Sequence, residues 1–293
     1  MFYKTHLPHK ETDKHVSALV ALTPAESKRL IAKGVARLPE IKKGLEKGLI
    51  IIARGTTNAF VSEELLGISI NPKSDEYCRG CITNGELGVN MKRATERGIG
   101  NDFVLRQGKI DSKQPQEAIM EFTVGDVFIK GANALDSSGQ VAVLAAGTES
   151  GTIGWALPVV MARAAHLIVP VGLEKLVPSV SQASQKCGVF NYKYSIGLPC
   201  ALIPLVNAKV VTEIQAFETL AGVSAIQVAS GGIGGSEGTV VLTIEGSEMD
   251  IEKALELVRA IKGELPVSSP KKTNPSAAGV NYNPVALRDS LNR

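Results

Sequence analysis

The sequence predicts an α/β fold with a Rossmann-like parallel-sheet core and a smaller, ferredoxin-like α+β lid domain. Residues 49–53 form a continuous apolar run, which is typical of a parallel strand covered on both faces. Loops rich in Gly and Thr twice connect a strand-like run to a helical one, at residues 54–58 and 147–154. From residue 206 the order becomes β-α-β-β-α, as in a small α+β domain. The chain is thus divided into three parts: a core at 1–205, a lid at 206–264 and an extended tail at 265–293.

Two amphipathic helices are predicted near the N-terminus. Residues 23–26, Thr-Pro-Ala-Glu, combine a capping box with proline at the first helical position. Apolar residues follow at helical spacing, and Pro39 is expected to split them into two helices, the second ending near Gly48. A further helix is expected at 59–66, after the first loop. Residues 1–22 show no strong period, so we expect them to wrap the surface.

Three short, apolar and β-branched runs in the middle of the chain are predicted as buried strands: residues 127–129, 141–144 and 167–171. The second loop precedes a segment at 155–165 that is apolar nearly all round, which predicts a buried helix. Pro158 fits a helix only in its first turn, where its missing N–H would be unpaired in any case. We therefore expect this helix to begin near Gly154 or Trp155.

The remaining segments are assigned from their patterns. Residues 67–117 are the least periodic part and are predicted to form a loop-rich insertion. Strands and helices are expected towards the C-terminus: strands at 201–206, 209–214, 225–229 and 240–244, and helices at about 216–220 and 250–262. The glycine-rich residues 231–235 resemble a dinucleotide-binding loop, but a strand follows them. Because that motif works through a helix N-terminus, we interpret them as a hairpin connection.

Composition excludes several classes of function. The 293 residues carry a formal net charge of +3, and no aromatic residues interleave with Lys and Arg as a nucleic-acid surface requires. No apolar run is long enough for a membrane span or typical of an export signal. We therefore expect a cytoplasmic protein with neither nucleic acid nor membrane as a partner, while a homo-oligomer is left open.

Four cysteines, two of them as Cys78-Arg79-Gly80-Cys81, do not resemble a disulfide framework in a chain of this length. Free thiols are the expected state in a reducing cytoplasm. The alternative is a tetrahedral metal site, which would need all four in one place: Cys78, Cys81, Cys187 and Cys200.

The two Gly/Thr loops predict an anion-binding site, because both would lie at the carboxyl edge of one parallel sheet if their strands run the same way. Glycine lets the backbone approach a ligand, and a helix N-terminus offers unpaired N–H groups. Lys175, just past the strand at 167–171, is expected to add a positive charge to the same anion. The alternatives are ordinary βα turns and a solvated lysine. The candidate loop residues are Gly55, Thr56, Thr57, Asn58, Gly147, Thr148, Ser150, Gly151 and Thr152.

Five short segments together indicate a family resemblance: a phosphate loop at 55–58, an acidic-type motif at 130–136, a strand and turn at 167–177, a proline-bracketed strand at 197–204 and a lid hairpin at 235–239. In these segments the chain resembles type A ribose-5-phosphate isomerases, which share a superfamily with glucosamine-6-phosphate deaminases and CoA transferases. The resemblance implies a phosphorylated small-molecule ligand. It also implies that Asn133, at the position of a motif aspartate, faces the ligand.

The sequence departs from that family at its catalytic carboxylates. Lys130 stands where the family has a catalytic aspartate, Asn133 stands where it has a second one, and the family's glutamate base has no counterpart within 155–161. Isomerisation needs a carboxylate near a carbon-bound proton. The nearby carboxylates are Glu149 and Asp136, so the candidate catalytic residues are Glu149, Asp136 and Lys130, and standard isomerase activity is not expected.

These observations favour a protein that binds a phosphorylated small molecule, as an isomerase-like or lyase-like enzyme with altered catalytic residues and no cofactor. Glu149 would be its acid/base, unless it is only a solvated loop carboxylate. An acyl-CoA transferase is one alternative, in which Glu149 would be the nucleophile and CoA a cofactor. A non-catalytic metabolite-binding protein is another.

Overall fold

The computed structural model describes residues 16–90, 102–270 and a short strand at 273–274. The helices are α1 (Pro24–Arg37), α2 (Pro39–Lys47), α3 (Thr56–Leu66), α4 (Lys73–Tyr77), α5 (Pro115–Ala118), α6 (Gly151–Ala162), α7 (Val180–Gln185), α8 (Glu213–Ala221) and α9 (Glu248–Ile261). The strands are β1 (Val16–Leu22), β2 (Leu49–Ile52), β3 (Gly80–Thr83), β4 (Glu86–Asn90), β5 (Phe103–Arg106), β6 (Lys109–Asp111), β7 (Val127–Ile129), β8 (Ala134–Leu135), β9 (Val141–Ala145), β10 (His166–Pro170), β11 (Ala201–Leu205), β12 (Ala208–Val211), β13 (Ser224–Ser230), β14 (Val240–Gly246) and β15 (Thr273–Asn274).

The largest sheet has six strands in the order β12-β10-β7-β2-β5-β6. Strands β12, β10, β7 and β2 run parallel, whereas β5 and β6 extend the sheet in antiparallel fashion. All four residues of β2 are buried, as expected for a strand covered on both faces. This mixed sheet with its helices confirms the α/β class.

Local signals at the N-terminal helices are confirmed. Thr23 Oγ1 accepts the N–H of Glu26 at 3.4 Å, and the Thr23 N–H donates to Glu26 Oε2 at 2.9 Å, which closes the capping box of α1. Pro39 begins α2, and Gly48 caps its end. Residues 1–15 lie outside the described part of the structure. The expectation that residues 1–22 wrap the surface is wrong for residues 16–22. Those residues form β1, which pairs antiparallel with β14.

The small antiparallel sheet has the order β1-β14-β13, with α8 packed on β13 and α9 on β1 and β14. This differs from the predicted lid, because its first strand, β12, pairs with β10 in the large sheet and β1 takes part instead. The glycine-rich hairpin between β13 and β14 is confirmed. One cluster of buried apolar side chains joins the two sheets, from Phe128 to Leu242, and the domain boundary near 205 stays a prediction.

Helix α6 differs from the predicted buried helix in two ways. It begins at Gly151, directly after Ser150, which has a left-handed conformation (φ 58°). Because the helix begins this early, Pro158 lies inside it, and the carbonyl of Gly154 loses the N–H that would have donated to it. Its buried residues are only Ile153, Ala156 and Val160, so one stripe packs inward and the rest is partly exposed. No helix in the described ranges is long and apolar enough to cross a membrane.

The prediction of a loop-rich insertion at 67–117 is wrong over its described residues. Strands β3 and β4 form a hairpin through Asn84-Gly85, and β5 and β6 form another through Gln107-Gly108. All four turn residues have positive φ, as a two-residue hairpin of this kind requires. Residues 91–101 of the insertion, and the tail beyond 270 apart from β15, lie outside the described part.

Candidate anion-binding site

A cavity of about 560 Å³ lies at the carboxyl ends of the parallel strands. Three neighbouring strands of the large sheet, β2, β7 and β10, are followed by Arg54, Lys130 and Lys175 respectively, and all three side chains line the cavity. Open parallel sheets bind their ligands at this edge. The opposite wall is apolar and includes Ile82, Leu87, Val89, Val143, Leu144, Ile153 and Leu198.

Two helix N-termini face this cavity. Gly55, Thr56 and Thr57 at the start of α3 line it, and neither Gly55 nor Ser150, the residue before α6, makes a side-chain capping bond. Within the described structure, the first N–H groups of both helices therefore receive no acceptor from their N-cap side chains. The Thr57 side chain is only 2% exposed, and its Oγ1 has no hydrogen-bond partner among the described residues. This arrangement suits an anion, which accepts hydrogen bonds from all these donors.

The second loop reaches the cavity by an unexpected route. Strand β9, which precedes it, belongs to a separate antiparallel sheet of order β11-β9-β8. The prediction that both loops lie on one parallel sheet is therefore wrong. Gly147 and residues 150–152 nevertheless line the same cavity as Gly55, because the smaller sheet stands across from the carboxyl edge of the larger one.

The charged side chains that line the cavity in the described structure are all cationic: Arg54, Arg79, Lys130 and Lys175. Arg54 Nε donates to Asp102 Oδ1 at 2.9 Å, and Arg79 Nη1 donates to the carbonyl of Asn90 at 3.1 Å. Burial and the nearby charge of Arg54 lower the pKa of Arg79. The described lining of the cavity therefore carries a positive charge, and Asp102, which lies outside that lining, pairs with one of its cations, Arg54.

Neither lysine of the cavity makes an ion pair within the described structure. Lys130 Nζ lies 3.5 Å from the carbonyl oxygen of Gly131, and burial lowers its pKa. Lys175 Nζ donates to the carbonyl of Ala132 at 2.7 Å. Burial lowers the pKa of Lys175 to about 8, against the opposing effect of Glu174. Both amines are thus placed where an anion would be the missing partner.

Most of the residues predicted for the site are brought together. Those that line the cavity are Gly55, Thr56, Thr57, Lys130, Asn133, Gly147, Ser150, Gly151, Thr152 and Lys175. Asn133 Oδ1 accepts the N–H of Leu144 at 3.1 Å, which ties the motif at 130–136 to β9. Asn58 does not line it. Its Nδ2 donates to the carbonyls of Ala53 and Ile129, so its role is to join the ends of β2 and β7.

The two carboxylates predicted for catalysis do not line the cavity. Glu149 and its neighbour Thr148 are exposed on the outer side of the loop. Asp136 accepts hydrogen bonds from Ser138, Gln140 and the N–H of Val180, and these bonds, led by that of Ser138, lower its pKa. Asp136 therefore holds a turn together, and the geometry does not support either residue as a catalytic group.

Arg54 and Arg79 are the site residues that sequence reasoning missed. Arg54 lies two residues after the end of β2 and directly before Gly55, the first glycine of its loop. Its position next to the carboxyl end of a parallel strand could have identified it from the sequence. Arg79 lies between two cysteines next to β3, and only the fold of that hairpin brings it to the cavity.

The cysteines do not form the alternative metal site. All four are free, and the described residues contain no group of three or more His, Cys, Asp or Glu side chains that could hold a metal ion. Cys81 and Cys200 line the cavity. Burial raises the pKa of both, and that of Cys78 to about 12. Protonated thiols are poor metal ligands and poor nucleophiles.

In comparisons with known proteins, no family model, no curated protein and no solved structure matches this chain. The resemblance to type A ribose-5-phosphate isomerases therefore rests on the sequence segments alone.

Proposed function

We propose that this protein binds a phosphorylated small molecule in the cavity at the carboxyl edge of its parallel strands. The observation that carries the proposal is the convergence of four cationic side chains and two uncapped helix N-termini on one cavity whose described lining contains no carboxylate. Helix N-termini and fixed cations are the groups that proteins use to bind phosphate.

The size and lining of the cavity support an organic ligand. A volume of about 560 Å³ falls within the range of small-molecule sites. One wall is cationic, while the other, with Val143, Leu144 and Leu198, is apolar. A bare inorganic ion would leave the apolar wall without a partner. We therefore propose a ligand with a phosphate at one end and a less polar part at the other.

The site geometry also limits which side chains could catalyse a reaction on the ligand. An isomerase-like reaction needs a carboxylate base beside the substrate, and an acyl-CoA transferase of this superfamily would need Glu149 as its nucleophile. Glu149 is exposed outside the cavity lining. The cavity lining offers the amines of Lys130 and Lys175 as reactive groups. Because burial raises the pKa of the Cys81 and Cys200 thiols that also line it, we assign any catalysis to the two amines.

Calorimetric titration with inorganic phosphate tests the proposal. We expect wild-type protein to bind phosphate, and Lys130→Met to weaken binding by about 1.5 to 3 kcal/mol, or roughly 10- to 150-fold in Kd, because a hydrogen bond to a charged group is lost. Lys186→Met, at an exposed lysine outside the cavity, is the matched control and should bind as the wild type does. Equal affinities in Lys130→Met and the control, or no binding by the wild type, would contradict the proposal.

A further inference from the structure

The amine of Lys175 is held in one position at the cavity wall. The residue ends the short 3-10 turn Leu173–Lys175 after β10, and its Nζ donates to the Ala132 carbonyl at 2.7 Å. A carbonyl oxygen can only accept a hydrogen bond. When the amine is neutral, this bond therefore fixes the nitrogen and leaves its lone pair unused.

No carboxylate of the described residues forms an ion pair with Lys175. Glu174 is paired with Lys28, whose Nζ lies 3.0 Å from Glu174 Oε1. Lys28 and Lys130 repel a positive charge on Lys175, while Glu174 and Glu213 favour it. Burial, with a further contribution from Glu174, raises the pKa of the Glu213 carboxyl to about 7. At neutral pH Glu213 is therefore only partly ionised, and its negative charge stabilises the charged form of Lys175 only in part.

A desolvated lysine next to other cations is the arrangement that makes an amine nucleophilic near neutral pH. With a pKa of about 8, roughly a tenth of the Lys175 side chains are neutral at pH 7, and about half at pH 8. An ordinary lysine, with a pKa of about 10.4, would be neutral in well under 1% of molecules at pH 7.

From this geometry we infer that Lys175 forms a covalent imine with the carbonyl group of a phosphorylated aldehyde or ketone. The inference rests on the proposed function, because the bound phosphate would hold the carbonyl carbon beside the amine. The Nζ lone pair attacks that carbon, and the π electrons of the C=O bond move to oxygen. A proton then moves from nitrogen to this alkoxide oxygen, which gives the carbinolamine. A second proton, from solvent, converts its hydroxyl into water, which leaves as the C–O bond breaks, and the nitrogen lone pair forms a protonated C=N bond on Lys175.

Borohydride trapping with pyridoxal 5′-phosphate at about pH 8 tests the inference, because reduction converts an imine into a stable secondary amine that peptide mass spectrometry can locate. We expect Lys175 to be labelled first, at low ratios of probe to protein. Lys175→Arg keeps the charge but removes the nucleophile, so labelling at this site should be lost. Lys186→Arg is the matched control and should retain it. Preferential labelling of Lys130 or of exposed lysines would overturn the inference.

A second probe separates this inference from the proposed function. Pyridoxine 5′-phosphate has the same ring and phosphate but a hydroxymethyl group in place of the aldehyde, so it cannot form an imine. If both probes bind at the cavity and borohydride fixes nothing on Lys175, the imine is refuted and phosphate binding stands. If neither probe nor inorganic phosphate binds, the proposed function fails. We expect pyridoxine 5′-phosphate to bind the wild type and the control variant Lys186→Arg with the same affinity.

Discussion

Replacing Glu213 by Gln is expected to remove part of the pH dependence of the free energy of unfolding. Glu213 begins α8, its side chain is fully buried, and its Oε2 accepts the N–H of Leu173 at 3.0 Å. Its Oε1 has no hydrogen-bond partner in the described structure. Burial and the neighbouring Glu174 raise the pKa of Glu213 from 4.5 to about 7. A buried carboxylate of this kind opposes folding once it must ionise.

The sign and size of the effect follow from proton binding. Below pH 4.5 both the folded and the unfolded chain hold the proton, whereas between pH 4.5 and about 7 only the folded chain does. Ionisation of the unfolded chain therefore lowers the free energy of unfolding by about 1.4 kcal/mol per pH unit in this window, or about 3 kcal/mol in total. Glutamine stays neutral and can still accept the Leu173 N–H, so Glu213→Gln should gain about 3 kcal/mol relative to the wild type as the pH rises through the window.

Urea unfolding of wild type and Glu213→Gln between about pH 5 and pH 8 measures this difference directly. Any cost of the amide that does not depend on pH cancels when values at different pH are compared. Glu248→Gln, the same substitution at the exposed first position of α9, controls for removing a helix-terminal carboxylate. A difference between wild type and Glu213→Gln that stays constant within about 0.5 kcal/mol across this range would refute the reasoning.

Two further predictions concern the stability of the second loop and the rate of ribose 5-phosphate isomerisation. Gly154→Ala should lower the free energy of unfolding by several kcal/mol, because its Cβ would overlap the carbonyl oxygen of Glu149, and urea unfolding measures it. Ala162→Gly, near the exposed end of α6, should cost only about 1 kcal/mol. The wild type should not isomerise ribose 5-phosphate at about 1 per second or faster, because the described cavity lining contains no carboxylate base. A coupled assay for ribulose 5-phosphate measures that rate, and turnover at that level would contradict the prediction.

Local chemistry in the sequence predicted much of the fold. The capping box at Thr23 and the break at Pro39 are signals that act over a few residues, so they could be interpreted without tertiary structure. The hairpin turn Asn84-Gly85 is an equally local signal. It was missed because β3 is only partly buried, so no clear alternation of apolar residues marks the strand before the turn.

The pairing of strands could not be predicted from signals that act over a few residues. β1 pairs with β14, more than 200 residues further along the chain. Its alternating burial is concealed because outward-facing Leu19, which is 67% exposed, is as apolar as inward-facing Val20 and Leu22. The sequence of β12 likewise does not distinguish pairing with β10 from pairing with β13, and the structure selects the first.

The candidate site depends both on local sequence signals and on the long-range pairing of strands. The loops after β2 and β9 have the composition of anion-binding turns, and that composition is local. If β9 belonged to the large sheet, its loop would lie in a row with the others along one edge and would leave the ligand open to solvent on the far side. Strand β9 instead pairs with β11, Val143 opposite Ile203, in a sheet that stands across from that edge. That pairing brings the start of α6 to the same cavity as Lys130, and Val143 and Leu144 of β9 contribute to the apolar wall. The identity of the anion-binding residues is therefore a local property, whereas their convergence on one ligand follows from the pairing of β9.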